Sequence, residues 1–327
     1  MKKKIIVVTG AAGFIGFNFS HYLLNKNYIV LGIDNIEGFY EKNLKIQRLK
    51  ILKKFKNFIF FKQNISSIDK IISEDKIKLI DTVFHFAAQP GVRLSSKYSE
   101  DYLNSNIISF SKLIHFVAKK KIKNFFFASS SSVYGDINSQ QNENKIGNIK
   151  SYYALTKITN EQIAENYSKF YMNSNFIGLR FFTVYGPFGR PDMAVYEMTN
   201  NIYLNKTITL FNKGLNSRDF TYIDDLVQIL FSLYTLRNKL NNNYEIFNTG
   251  FGKSFKTIEM LNTLEYFIGI NAKVKFGNNP LDVFNTKSDF KKLNYFLNSN
   301  NKSISNTSLK KGISNFISWY KKYHKVN

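Results

Sequence analysis

Thr9-Gly10-Ala11-Ala12-Gly13-Phe14-Ile15-Gly16 follows the apolar run Ile5-Ile6-Val7-Val8 and precedes Phe17–Lys26, a stretch of helical length and periodicity. Glycines spaced three apart between a strand and a helix allow a tight turn. They also let backbone N–H groups approach a pyrophosphate, and the helix N-terminus adds its dipole. The next apolar run, Ile29–Ile33, ends at Asp34, 18 residues after Gly16. A carboxylate there can accept hydrogen bonds from the adenosine ribose hydroxyls and repels a 2′-phosphate, so the expected cofactor is NAD rather than NADP. A glycine pattern alone also fits an ordinary turn; the strand before it, the helix after it and Asp34 beyond it favour a dinucleotide site.

Working outward, further apolar runs of strand length stand at Phe58–Phe61, Thr82–Phe86, Asn124–Ala128 and Phe176–Phe182, and helical patterns such as Leu103–Lys119 lie between them. This alternation predicts an α/β fold with a doubly wound parallel sheet of Rossmann type. At 327 residues the chain exceeds the ~250–300 residues over which one core keeps growing, so two lobes are expected. We place a dinucleotide-binding domain over 1–182. A smaller substrate lobe follows over 183–327, where Pro187, Gly189, Pro191, Gly214, Gly250, Gly252, Gly277 and Pro280 punctuate shorter elements, and some of its segments are expected to return to the first domain. The polar stretch Asn138–Asn148 reads as an exposed loop, and Trp319 and Tyr320 as anchors of a last helix.

Hydrophobic residues at 44%, with 32 Phe and 20 Tyr, supply a core and exclude a disordered chain. Cysteine is absent, which excludes a disulfide scaffold, a thiolate metal site and a cysteine nucleophile. The formal net charge of +23 invites a nucleic-acid or membrane partner. The lysines are scattered, however, with Lys2–Lys4 and Lys119–Lys121 the longest runs, so neither partner is expected. Met1-Lys2-Lys3-Lys4 before Ile5–Val8 mimics a signal peptide but breaks at once into the glycine turn, and no run approaches the ~20 apolar residues of a membrane span. We therefore expect a cytoplasmic protein. His21, His85, His115 and His324 form no ligand spacing, so no metal is expected.

Tyr153 and Lys157 stand four apart and share a face on a helix. Upstream, Ser129-Ser130-Ser131-Ser132-Val133-Tyr134-Gly135 ends a strand. A phenol is a poor base at neutral pH unless nearby positive charge favours its phenolate. Lys157 and an oxidised nicotinamide ring would both do so.

Together, the Thr9–Gly16 turn, Phe84-His85-Phe86-Ala87-Ala88-Gln89, the serine run and the Tyr153/Lys157 pair resemble the extended short-chain dehydrogenase/reductases that modify nucleotide sugars. Phe39-Tyr40-Glu41-Lys42-Asn43-Leu44-Lys45, Ala87-Ala88-Gln89-Pro90-Gly91-Val92-Arg93 and the long motif Arg180–Ala194 are most similar to bacterial UDP-glucuronate 4-epimerases. The resemblance covers nearly the whole chain. It implies an NAD site of Gly10, Gly13, Phe14, Ile15, Gly16, Asp34, Asn35, Asn64, Ile65, Ala87, Ala88, Gln89, Asn106, Tyr153 and Lys157. It makes Ser130 the hydroxyl partner of Tyr153. It also implies a UDP-sugar site of Arg93, Ser130, Ser131, Ser132, Thr183, Arg190, Met193, Arg218 and Asp282, with Arg218 gripping the diphosphate.

The implied reaction is 4-epimerisation through a transient 4-keto sugar, with Tyr153 as base. A 4-keto uronic acid can lose carbon dioxide, and hydroxyls of Ser130–Ser132 and Thr183 could hold its carboxylate in a plane unfavourable to that loss. A UDP-glucose or UDP-N-acetylglucosamine 4-epimerase stays open, although such relatives often carry asparagine in the place of Thr183. A decarboxylase or 4,6-dehydratase is less favoured, because Ser131 and Ser132 occupy the places of the acidic residues those enzymes use. A non-catalytic NAD-binding module would commonly lose the Tyr153/Lys157 pair. Asn64 in place of an aspartate, Ser109 in place of glycine, Phe188 in place of tryptophan, Leu281-Asp282-Val283 without the usual glycine and Asn279 in place of a longer polar side chain depart from the pattern. The helices around Leu103–Lys119 and Tyr153–Tyr171 resemble those that form a four-helix homodimer interface in this family.

Overall fold

The computed structural model describes residues 4–37, 41–136, 140–240, 242–278 and 283–326. Its strands are β1 (Ile5–Thr9), β2 (Ile29–Ile33), β3 (Phe58–Phe61), β4 (Ile80–His85), β5 (Asn124–Ser130), β6 (Asn175–Phe181), β7 (Thr183–Tyr185), β8 (Ile208–Phe211), β9 (Ser217–Tyr222), β10 (Tyr244–Asn248), β11 (Ser254–Lys256) and β12 (Val274–Gly277). Two compact units result. One holds Met1–Val133, Ile149–Arg180 and Leu233–Phe247; the other holds Tyr134–Asn148, Phe181–Ser232 and Asn248–Asn327.

The first unit is built on a seven-stranded sheet in the order β10-β6-β5-β4-β1-β2-β3. The pairs β1/β2, β1/β4, β2/β3 and β4/β5 are parallel. A parallel sheet carries helices on both faces, so its central strands are apolar throughout rather than alternating; every residue of β1 and β4 is buried. The chain builds β2 and β3 to one side of β1, then crosses to place β4 on the other. Between β1 and β4 the order reverses, which opens a crevice at their carboxyl ends. The Gly10 turn leaves β1 there, and Phe86–Gln89 leaves β4.

Phenylalanines fill the core. Phe84 stacks on Phe126 with centroids 4.6 Å apart and meets the edge of Phe19 at 4.5 Å. On the other side of the sheet Phe110 packs against Phe125 and Phe127. The region expected as one helix over Leu103–Lys119 is instead a π-helical turn, Leu103–Ile108, continued by an α-helix, Ser109–Lys119. Ser109, where the resembling family carries glycine, donates its hydroxyl to Asn104 O at 2.8 Å inside that wide turn.

The second unit contains a three-stranded sheet, β11-β9-β7, a parallel pair, β12/β8, and the helices Ala194–Tyr203, Thr257–Ile268 and Leu309–His324. Tyr320 is buried on the last helix and donates to Asn200 at 3.0 Å, while Trp319 packs on Phe188 at 5.1 Å. The stretch expected as an exposed loop, Asn138–Asn148, is partly buried, although Asn138 itself lies outside the described residues. Gln141 and Glu143 are inside because the backbone satisfies them: Lys287 N donates to Gln141 Oε1 at 3.0 Å, and Asn248 N to Glu143 Oε1 at 2.9 Å.

Phe84 is fully buried between two aromatic neighbours. Phe84→Ala is expected to lower stability by about 3–5 kcal/mol, read from the denaturation midpoint at unchanged slope.

Candidate functional site

The glycine turn is forced by close approach. Gly10 has φ +69°, and a Cβ there would lie 2.8 Å from Ala87 N; a Cβ on Gly16 would lie 2.1 Å from Gly10 O. No side chain larger than hydrogen fits either place without moving backbone. Gly13 begins the helix Phe14–Asn25 with no side-chain cap, and no acidic residue stands in its first turn. The N-terminal amides thus keep their positive field for an anion. This cradle fits the pyrophosphate of a dinucleotide.

Asp34 closes the turn from β2. Its Oδ2 accepts from Ala12 N at 3.0 Å, and its Oδ1 accepts from Ile36 N at 2.7 Å and Lys45 Nζ at 3.3 Å. Three of the roughly four acceptor positions of the carboxylate are taken, so room remains for one more donor. Lys45 also donates to Glu37 O, and Arg48, fully buried, donates to Ala12 O at 2.9 Å. Phe14 and Ile65 are buried and Ile15 partly so, whereas Asn35 bonds Glu37 of its own loop. Asn64 is exposed and accepts from Ser66 N at 3.0 Å, capping a short turn.

On the β4 side, Ala87 N donates to Thr9 Oγ1 at 3.2 Å, and that hydroxyl also meets His85 Nδ1 at 2.8 Å. Burial, with the Lys157 charge adding to it, pushes His85 down to about 3, so the imidazole is neutral. Asn106, on the π-helical turn, is 1% exposed and spends its whole amide on protein. It accepts from Gln89 N at 2.7 Å and donates to Gln89 O at 3.0 Å and Thr156 Oγ1 at 3.1 Å. Tyr102 holds the same loop, its hydroxyl reaching Pro90 O and Gly91 O at 2.7 and 2.9 Å. Asn106 therefore positions the 87–91 loop; Arg93, farther along, is exposed.

Tyr153 and Lys157 lie on the helix Tyr152–Phe170, which Ser151 caps by accepting from Ala154 N at 3.1 Å. Tyr153 is in the first turn, where the helix dipole favours a phenolate. Lys157 is 3% exposed, donates to Ala128 O on β5 at 2.9 Å and sits 5.7 Å from the centre of the Tyr153 ring. Burial pushes its ammonium down to about 8, and the Glu161 carboxylate opposes that shift. Ser130 ends β5, two residues past Ala128. Its Oγ accepts from Ser132 N at 3.2 Å and Ser132 Oγ at 2.9 Å, which leaves its own proton free to point elsewhere. Ser131 and Ser132 continue in a short 3-10 turn.

In the second unit Thr183, Arg190 and Met193 line one pocket with Tyr185, Gly186 and Phe316. Arg190 forks onto Asp192, its Nε donating at 3.0 Å and its Nη2 also bonded. Arg218 donates to Ser217 O at 2.9 Å and Phe284 O at 3.3 Å. Beside it Asp219, not singled out from sequence, is fully buried and gathers Ser288 Oγ, Ser288 N, Gly252 N and Phe251 N. Burial raises its pKa against the lowering by those bonds. It pins the loops flanking Arg218. Asp282 lies outside the described residues, as do Leu281 and Asn279. Glu161 and Arg180 were also missed; the i,i+4 spacing of Glu161 from Lys157 was the available signal.

Residues 6–250 match the model of the NAD dependent epimerase/dehydratase family. A UDP-glucuronate 4-epimerase of Thermodesulfobacterium geofontis is 35% identical over 318 residues, covering 96% of this chain and 95% of that protein. The crystal structure of UDP-glucuronic acid 4-epimerase from Bacillus cereus, in complex with UDP-glucuronic acid and NAD, superposes with a TM-score of 0.88 at 32% identity, covering 98% of this chain and 99% of that one. A Thermotoga maritima UDP-glucose 4-epimerase with UDP-glucose gives a TM-score of 0.84 at 25% identity, covering 98% of this chain and 99% of that one.

Gly16→Ala puts a methyl against Gly10 O. The substitution is expected to weaken binding of a nicotinamide dinucleotide by about a hundredfold or more, equivalent to about 3 kcal/mol, measured by calorimetric titration of the folded protein.

Proposed function

The chain belongs to the NAD dependent epimerase/dehydratase family, and on that premise we propose that it inverts C4 of a UDP-sugar, converting UDP-glucuronate to UDP-galacturonate. The observation that carries the reading is the buried Lys157 ammonium beneath the Tyr153 ring, on a helix that abuts the end of β5 where Ser130 stands. The similarity over 98% of the chain to an enzyme holding UDP-glucuronic acid and NAD supports the choice of substrate.

NAD, when bound, supplies the acceptor and later the donor of the C4 hydride. The chain's own residues handle binding and the proton. Gly10, Gly13 and Gly16 admit the pyrophosphate, and Asp34 takes a ribose hydroxyl. Ionised Tyr153 removes the proton of the sugar 4-hydroxyl and returns it after the 4-keto sugar has turned over. Lys157 and the helix N-terminus stabilise the phenolate. Ser130, whose oxygen is occupied by two donors from Ser132, can only donate, so its proton goes to the sugar O4 or to the tyrosine oxygen. Arg218 grips the diphosphate; Thr183 and Ser131 hold the uronate carboxylate out of the plane that favours its loss. Arg190, Met193, Arg93 and Asp282 complete the substrate site.

Leu103, Ile108 and Leu155 are exposed on or beside the helices Ser109–Lys119 and Tyr152–Phe170. They support a homodimer joined through a four-helix bundle. A cytoplasmic location is part of the same proposal. No helix among the described residues is long and apolar enough to cross a membrane.

Purified protein incubated with UDP-glucuronic acid should give its C4 epimer by NMR, with NAD regenerated at each turnover and no carbon dioxide released. Turnover of UDP-glucose or UDP-N-acetylglucosamine alone would overturn the substrate assignment. Tyr153→Phe should lower kcat by about 10²–10⁴-fold with the substrate KM little changed.

A further inference from the structure

The helix that carries Tyr153 and Lys157 buries one more charge that the proton-transfer scheme leaves unused. Glu161 lies one turn beyond Lys157 on the same face and is 3% exposed. Arg180, on β6, grips its carboxylate with both arms, Nε at 2.9 Å and Nη2 at 2.7 Å, and Ser129, on β5, adds its hydroxyl. Ser129 is the neighbour of Ala128, whose carbonyl receives the Lys157 ammonium. From β10, Tyr244 donates its hydroxyl to Glu161 O at 3.1 Å.

A buried ion pair is a poor choice if stability is its only purpose, because apolar replacements of similar volume are often neutral or stabilising. Its placement supplies another reason. An ammonium removed from water loses its proton more readily, and a single neutral carbonyl does little to prevent this. Among the groups facing Lys157, Tyr153 and Glu161 come from its own helix, neutral His85 from β4, the Ala128 carbonyl from β5, and Arg180 stands behind Glu161 on β6. Of these described groups, with Tyr153 protonated, Glu161 is the one that favours the charged lysine.

We propose that Glu161 is a positioning residue for proton transfer: held by Arg180 and Ser129, its buried carboxylate keeps the charge on Lys157 that Tyr153 needs to ionise. Glu161 exchanges no proton with the sugar. The O–H bond of the sugar 4-hydroxyl breaks, that of the Tyr153 phenol forms, and Glu161 acts through its field alone. The kinetic consequence rests on the 4-epimerase reading; the charge arrangement does not.

The test compares wild type with Glu161→Gln, which keeps the shape and removes the charge, and Glu161→Asp, which keeps the charge. The Tyr153 phenolate is titrated by its ultraviolet difference spectrum against the matching Tyr153→Phe protein, with and without NAD. The pH profile of kcat is measured on UDP-glucuronic acid. In Glu161→Gln the Tyr153 midpoint should rise and the alkaline limb of kcat should fall to lower pH, each by about one unit, with kcat above neutral pH down about tenfold. Glu161→Asp should recover most of both shifts, which a purely structural role would not produce. If Glu161→Gln does not fold, the double variant Glu161→Gln/Arg180→Gln leaves no buried charge unpaired and should shift in the same direction. A folded charge-removed variant whose midpoint and limb stay within about 0.2 unit of wild type, or an aspartate variant that behaves as the glutamine one, overturns the proposal. If wild type epimerises no UDP-sugar, the functional reading fails while the phenolate titration still decides the role of Glu161.

Discussion

Everything at this site answers to the burial of one ammonium group. Moving such an ion out of water costs several kcal/mol even after relaxation, and a hydrogen bond to a neutral carbonyl returns about 1.5–3 kcal/mol. Lys157 nevertheless sits 3% exposed against Ala128 O, where it lies under the Tyr153 ring. The surrounding strands are arranged to meet that cost. β5 supplies the carbonyl and, one residue on, the serine that braces Glu161; β6 supplies Arg180 behind the carboxylate. Ser130 then emerges at the end of the same strand whose Ala128 carbonyl fixes the lysine.

The sheet order explains why the dinucleotide turn lies within reach of this arrangement. β1 and β4 are neighbours whose continuing chains part in opposite directions. Gly10 and Ala87 therefore leave adjacent strand ends, close enough that no Cβ fits between them. Thr9 ties the two together through its hydroxyl, and neutral His85 completes that contact without adding a second positive charge near Lys157. The aromatic core beneath, Phe84 on Phe126 and Phe19, sets the strand ends on a stiff base.

Most of this first unit was legible in the sequence, since buried parallel strands are unbroken apolar runs and the Gly10–Gly16 spacing has few other uses. Where strand limits moved, they moved by one or two residues: β5 runs on to Ser130 because the serine run stays extended on the sheet. What escaped was polar burial. Glu161, Arg180 and Asp219 look like surface charges in a chain with 46 basic residues, and only their partners in space, supplied by distant segments, make them internal. Gln141 and Glu143 were misjudged for the same reason. The π-helical turn was invisible too, because a helical apolar pattern counts 3.6 residues per turn and has no mark for a place where the count changes.

That wide turn has a consequence for how the chain can vary. Leu103–Ile108 holds extra backbone that a regular helix would not need, and the excess is what aims Asn106 at both Gln89 and Thr156. Deleting one residue anywhere in the segment would leave an unbroken α-helix of respectable propensity, yet it would rotate Asn106 by about 100° and release the loop that follows β4. Apart from Asn106 itself, length rather than residue identity is the conserved quantity to look for here: substitutions at the other positions of this segment should accumulate far more freely than insertions or deletions.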